Sequence, residues 1–378
     1  MTKAALSIAP ETTQPASAPS RGHVRAMRRS DIPAVHALFA QAFRKDAEAD
    51  FVCYIEALFF DNPNYSEADG SLVYENGNGA VNSVILALPM PFSVHGRRVM
   101  GRLICAFMSD RTPSGSLGAA HLILSIRASQ VDLCFTDNAA PVSADHCLAS
   151  GGSILSPESL EWRRVFRPFR ASVLSPETKV PALFRPGVAR ALGLADRMLL
   201  RWKPSTLPPA PPGCTTKDAP LPAFLECAEA MTERFPVRPI WSKDDFDWLT
   251  RMAGANRRLG QLQCRTVEAK GRTIGAFLFF ANPRNVATVL NVVCEEGREG
   301  EVVGQMFASL SQDHAAATGM TSAHIMNALM RQRQLTFRHR GYFCISSRHE
   351  DLMNTARAGQ IYIGGLASER WSKLVTGF

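Results

Sequence analysis

The sequence predicts an α/β fold of the α+β, mixed-sheet kind, built twice along the chain. Three observations predict it. Residues 99–133 read as buried strand, turn, helix and buried strand. Hairpin signals stand immediately upstream of that unit. The same order of elements returns after residue 223.

Val99 to Met108 is a near-continuous apolar run, which suits a strand covered on both faces. Arg111 to Ala119 supplies a turn rich in Ser and Gly. Ala120, Leu122, Ile123 and Ile126 then recur at helical spacing, and Val131 to Phe135 is a second buried strand. A helix that starts straight after a strand directs unpaired N–H groups and its positive dipole end outward. Small residues there let an anion approach the main chain, so a pyrophosphate has a place to rest. An ordinary strand–turn–helix crossover accounts for the same pattern, and both readings stand. Upstream, Asn76-Gly77, Asn78-Gly79 and His95-Gly96-Arg97-Arg98 mark hairpin turns. Ser30-Asp31 with Pro33 starts a helix whose apolar face is Ile32, Val35, Phe39, Ala42 and Phe43. A second helix is expected from Glu48 to Phe60.

The chain has 378 residues, 46% hydrophobic and 20% charged, which are globular values. A balance of 42 basic to 34 acidic residues gives a net charge of +8. Such a balance suits an anionic cofactor, an anionic membrane surface or nucleic acid. No basic motif interleaved with aromatics supports nucleic acid. The nine cysteines form no CxxC pair and read as reduced, mostly core thiols of a cytoplasmic protein. Residues 1–22, rich in Ala, Ser, Thr and Pro, read as a disordered tail. The apolar stretch before Ala16-Ser17-Ala18 is broken by Pro10, Glu11 and Gln14, so no signal peptide is expected. No apolar run is long enough to span a bilayer, and no metal-ligand spacing is present.

The order of elements through residues 24–135 and the turn after Met108 resemble the GNAT acyltransferase family. The resemblance implies acyl-CoA as co-substrate, its pyrophosphate on the turn after the fourth strand. The residues so implied are Met108, Ser109, Ser114, Gly115, Ser116, Gly118 and Ala119. The family turn is usually Arg/Gln-x-x-Gly-x-Gly/Ala. Here Ser114 stands at the Arg position, Leu117 replaces a glycine, and Gly115 and Gly118-Ala119 are kept. In this family the fourth and fifth strands part and the thioester enters between them. Polar residues at the carboxyl end of a buried strand are a usual ligand address. Asp137 there accepts a proton from the attacking ammonium, or else caps the next helix. Asn138 stands beside it. His146, on the helix expected over Ala139–Ser150, takes the place of the tyrosine acid that many members carry. Asp110, Glu56 and Glu296 are further candidate bases. Ser159 to Arg170 is expected to close the first domain as a basic, aromatic strand.

Residues 183–202 read as an amphipathic helix with Val188, Leu192, Ala195, Leu199 and Trp202 on one face and Arg190, Arg197, Arg201 and Lys203 beside it. That pattern fits contact with an anionic membrane or a helix packed across both halves. A Pro-dense connector follows. Beyond it come helices over Phe224–Met231 and Lys243–Ala253, three strands within 261–296, a helix opened by Gly297-Arg298-Glu299-Gly300, and a strand over Thr321–Met326. Gly297, Arg298 and Gly300 form a second candidate anion site. A basic cluster, Arg331 to His349, fits a phosphate-bearing ligand, an anionic lipid surface or a solvated helix face.

The organisation expected is a tail over 1–22, a GNAT-like domain over 23–175, an amphipathic helix and linker over 176–222, and a second GNAT-like domain over 223–378. The layout also resembles the bacterial ceramide synthases within that family. That implies transfer of a long acyl chain from acyl-CoA to the primary amine of a sphingoid-type lipid, in the cytoplasm or at the inner face of the membrane. Two alternatives stand beside it: a degenerate GNAT-fold binding or scaffold protein, and a GNAT acetyltransferase acting on a small amine.

Overall fold

Long strands that bury nearly every residue run through the middle of two mixed sheets, and helices cover the faces. The computed structural model describes residues 22–43, 50–129, 131–173, 186–202, 207–282 and 284–376. The expected tail lies outside them save for Gly22, as do residues 174–185 and 203–206 around the expected linker. In chain order come β1 (His23–Ala26), α1 (Ile32–Phe43), α2 (Phe51–Phe59), β2 (Leu72–Glu75), β3 (Val81–Val94), β4 (Arg97–Ser109), α3 (Pro113–Ala128), β5 (Leu133–Ala139), α4 (Pro141–Ala149) and β6 (Ser153–Ile154). Next are β7 (Leu160–Val165), α5 (Pro168–Val173), α6 (Pro186–Trp202), β8 (Cys214–Ala219), α7 (Leu221–Thr232), β9 (Val237–Pro239) and α8 (Lys243–Gly254). The last are β10 (Gln261–Ala269), β11 (Arg272–Ala281), β12 (Val286–Cys294), α9 (Glu299–Asp313), β13 (Ala316–Met320), α10 (Ala323–Met330), β14 (Leu335–His339), β15 (Tyr342–Ser346), α11 (Glu350–Arg357) and α12 (Lys373–Thr376).

The first sheet runs β1-β2-β3-β4-β5-β15-β6, with β9 added against the end of β3; the second runs β14-β7-β13-β12-β11-β10-β8. Among named strands only β4–β5 and β12–β13 pair in parallel. Each parallel pair is joined by a helix, α3 or α9, as a parallel crossover requires. The apolar runs read from the sequence are these central strands. Val84, Leu86, Leu88, Phe92 and Leu103 are fully buried in the first sheet, and Phe277 and Phe279 in the second.

Two strands cross between the sheets. Residues 160–165, expected to close the first domain, pair with β13 and β14 in the second sheet. The reason is local packing. Trp162 lies against Phe307 at 5.1 Å between ring centroids, and its indole N–H donates to the Met320 carbonyl at 3.2 Å. Gly319 opens the slot, since a Cβ there would sit 2.5 Å from the indole. In return β15 leaves the second half and pairs with β5 and β6. The closing segment, residues 361–374, folds back into the core of the first sheet. There Tyr54 accepts the N–H of Lys373 at 2.9 Å and Trp371 meets Trp248 edge-on.

A second correction concerns the strand expected over Thr321–Met326. The strand ends at Met320 and α10 begins at Ala323, because the buried carboxylate of Glu158, from before β7, accepts the Ala323 N–H at 2.8 Å. A distant side chain thus satisfies an orphan donor of that helix, which no local pattern announces.

Candidate active site

β4 and β5 share a ladder of only three residue pairs, Gly101 with Leu133, Arg102 with Cys134 and Leu103 with Phe135. Past Leu103 the strands part. A bulge marks the place: against β3, Ala106 faces Leu86 and Ile104 faces Ala87, which leaves Cys105 as the extra residue. A bulge bends its strand and sharpens the twist, and here it swings β4 away from β5. β15 occupies the opposite edge of β5, so β5 cannot follow. The gap is a cavity of about 340 Å³, within the range that encloses a small ligand. Ile104 to Phe107 and Cys134 to Thr136 form its floor, with Ile123 and Ile126 of α3 on one wall and Ser143, His146 and Cys147 of α4 on the other. Backbone groups on the facing edges of the parted strands have no ladder partner across the gap. Such groups are available to a carbonyl oxygen that gains negative charge.

The residues expected to do chemistry divide between two places. Asn138 and His146 line the cavity. Asp137 does not. Strand alternation turns it to the other face, where it is 2% exposed, so it neither faces the gap nor caps α4, whose cap position is Ala140. Its carboxylate accepts the backbone N–H of Glu369 at 3.3 Å. Glu369 itself lines the cavity. Burial pushes the Asp137 carboxyl up, opposed by the charges of Arg340 and Arg370. Burial pushes the Glu369 carboxyl well up, and the neighbouring Asp137 adds to it. Two buried carboxyls side by side cannot both ionise cheaply, so the pair holds a proton at a pH where a surface acid would not. Arg370 bridges to the second sheet, meeting Glu161 at 2.5 Å, while Arg338 meets the same carboxylate at 2.7 Å. The sequence reading missed Glu369. Its one local signal is an acid followed by Arg370 inside the apolar run from Leu366 to Trp371.

The turn after β4 is built differently from an open anion cradle. Thr112 caps α3 by accepting the Gly115 N–H at 3.1 Å. The Asp110 carboxylate accepts the Thr112 N–H at 3.0 Å. A Cβ at Gly115 would lie 2.0 Å from that same carboxylate oxygen, so Asp110 lies directly over the glycine. Ser114 accepts from Asn82 at 2.8 Å, Gly118 lets α3 close onto Ser83 and Tyr74, and Ser116 is exposed. Met108 turns into the core, Ser109 pairs with Ser83, and Ala119 is half-buried.

The second sheet has a counterpart at Gly297–Glu301. Nothing lies within 4 Å of a Cβ at Gly300. The space there is bounded by Glu299, Glu301, His324 and Arg331, and Glu299 is held by Arg234 at 3.0 Å. His324, expected on a strand, lies in α10 with both ring nitrogens in hydrogen bonds, to Ser322 and to the Val292 carbonyl. Glu296 lies just ahead of this turn, and Glu56 on α2 pairs with Arg29, away from the gap. The basic cluster is spread over β14 and the connections after α10, before β15 and before α11, with Arg338 committed to Glu161 and Arg348 to Asp132.

A parted parallel pair beside a helix that springs from the strand end is the architecture of the GNAT acyltransferases, and this chain has that fold. Solved structures agree. A conserved protein from Enterococcus faecalis, described as a probable N-acyltransferase, is 12% identical, with a TM-score of 0.56 over 87% of this chain and 73% of its own. A GCN5-related N-acetyltransferase from Anabaena variabilis gives the same identity and score over 87% and 74%. One from Kribbella flavida, also 12% identical, scores 0.51 over 87% and 71%. No family model matches the sequence, and no curated protein does.

Proposed function

We propose that the chain is an acyl-CoA-dependent N-acyltransferase that works at the gap between β4 and β5. The observation that carries this is the coincidence of three features there: parted strands, a cavity between α3 and α4, and a buried carboxyl at its edge. The thioester lies across the gap with its carbonyl oxygen on the freed main chain of the bulged strand, which stabilises the charge of the tetrahedral intermediate. The primary amine arrives as an ammonium and must lose a proton before it attacks. Glu369 takes that proton, and Asp137 behind it keeps its proton affinity high. Asn138 and His146 hold the acceptor near the carbonyl carbon. Expulsion of the CoA thiolate completes the transfer. The diphosphate rests at Ser114–Ala119, as the turn's position implies, with the Asp110 carboxylate beside it.

The acceptor we infer is a lipid amine of the sphingoid type and the donor a long-chain acyl-CoA. The cavity's apolar floor and the outer face of α6 support this. Leu194, Met198 and Trp202 recur at i, i+4 and i+8 on α6 and are exposed, Trp202 by 88%, with Arg197 and Arg201 exposed beside them. An apolar stripe bordered by arginines suits an anionic membrane surface. Among the described residues no helix is long and apolar enough to cross a membrane.

The test is turnover with palmitoyl-CoA or acetyl-CoA and a panel of amines, read as release of free thiol. Release that needs both a long acyl chain and a sphingoid base supports the full reading. Release with acetyl-CoA and a small amine keeps the transferase and removes the lipid acceptor. Asp110 in the turn favours a second reading, a GNAT fold kept for binding without CoA. Titration calorimetry with no CoA binding, together with no thiol release, selects it.

A further inference from the structure

Cys147 on α4 and Cys344 on β15 meet in the wall of the cavity, and acyl transfer as proposed uses neither. Both line it. They pack in one small cluster with Ala144, Ile154 and Tyr342. The Cys147 thiol donates to the Ile345 carbonyl at 3.8 Å, one residue from its partner. The proximity of Cys344 draws the Cys147 thiol below the usual range, and that of Cys147 pushes Cys344 up. The other two thiols in the cavity are pushed up by burial, Cys134 to about 11 and Cys105 well above its ordinary value. Cys147 is therefore the one cavity thiol drawn down rather than up, and the thiol packed in the same cluster is Cys344. That is the arrangement of an attacking and a resolving sulfur.

We propose that Cys147 and Cys344 are an oxidation site, a thiol pair that a mild two-electron oxidant joins as a disulfide across the cavity wall. With diamide, the two thiols give up two protons and two electrons to the N=N bond. One S–S bond forms and the azo compound becomes a hydrazine. The bond stitches α4 to β15, and so joins the crossed-over strand covalently to the first half of the chain. All nine cysteines are free thiols, and Cys53 is exposed. An oxidant that simply chose the accessible thiol would take Cys53.

The experiment treats the full-length native chain with one equivalent of diamide, alkylates the remaining thiols and maps the peptides by mass spectrometry. The expected result is loss of two thiols, a linked Cys147–Cys344 peptide, and a melting temperature raised by roughly 3–8 °C. C147S and C344S should each abolish the product, whereas C53S leaves it unchanged. The wild-type peptide map stands even where a serine variant fails to fold. No thiol loss, a linkage through Cys53, Cys105 or Cys134, or a product that survives in C147S overturns the proposal.

Discussion

Asp110→Asn is the substitution that most directly questions where the diphosphate rests. The Asp110 carboxylate lies over Gly115 and accepts the Thr112 N–H at 3.0 Å. An amide keeps an acceptor oxygen for that N–H and removes only the charge. Two diphosphate charges about 5 Å from one carboxylate repel it by about 1.7 kcal/mol in water, and physiological salt screens this to about 0.9 kcal/mol. The substitution is thus expected to tighten CoA binding about fourfold, and less tightly than that at high salt. Titration calorimetry with CoA and with dephosphorylated pantetheine, at two salt concentrations, measures it. Pantetheine carries no diphosphate and should not notice the change. Equal gains for both ligands, or none for CoA, would refute the placement of the diphosphate on this turn.

Four further outcomes follow from other parts of the molecule. Glu369→Gln should lower the turnover rate about 100-fold and remove the limb on which wild-type activity climbs with pH; because its raised carboxyl costs stability once ionised, the variant should also melt higher, and a lower melting point contradicts that. Burial lowers the pKa of His324 to about 4, so the folded chain binds fewer protons than the unfolded one between there and about 6.5, and stability should fall by about 3 kcal/mol as pH drops through that window; denaturant titrations in which His324→Gln keeps the same pH slope would discard this. Gly118→Ala brings a Cβ to 2.7 Å from both Ser83 and Tyr74 and should cost about 1–3 kcal/mol, measured by urea unfolding. Replacing Leu194, Met198 and Trp202 with Ser should abolish co-sedimentation with anionic vesicles and leave the melting temperature unchanged, and binding that persists rules out α6 as the contact.

What could be read from the sequence follows the range of the interactions. The two parallel units were legible because Val99–Met108 and Val131–Phe135 declare burial on both faces within a few residues. The helix over Lys243–Ala253 was legible from its spacing, but the opening of α3 was not: Arg111–Ala119 read as a turn, whereas Thr112 caps a helix that already begins at Pro113. The parted strands were expected only through family resemblance, since the bulge at Cys105 has no composition of its own. The carboxyl pair was half legible. Asp137 sits at a strand's carboxyl end, where chemistry is sought, but its side chain faces away, and the residue that does line the cavity arrives 232 positions later. His324 was misplaced because the side chain that accepts the first N–H of α10, at Ala323, is Glu158, 165 positions upstream. The crossed strands were invisible for the same reason: Leu160–Val165 looks like any closing strand, and its destination is set by the slot at Gly319.

The crossing of β7 and β15 has a consequence for how the polypeptide is made. A ribosome releases residues in order, and β5 waits without its outer neighbour until about 200 more have emerged. During that interval the edge of β5 is bare, and unpaired edges invite other chains. The first sheet cannot be completed before β15 emerges, so a nascent chain stalled before residue 342 should be held by chaperones or degraded rather than stored as a finished half.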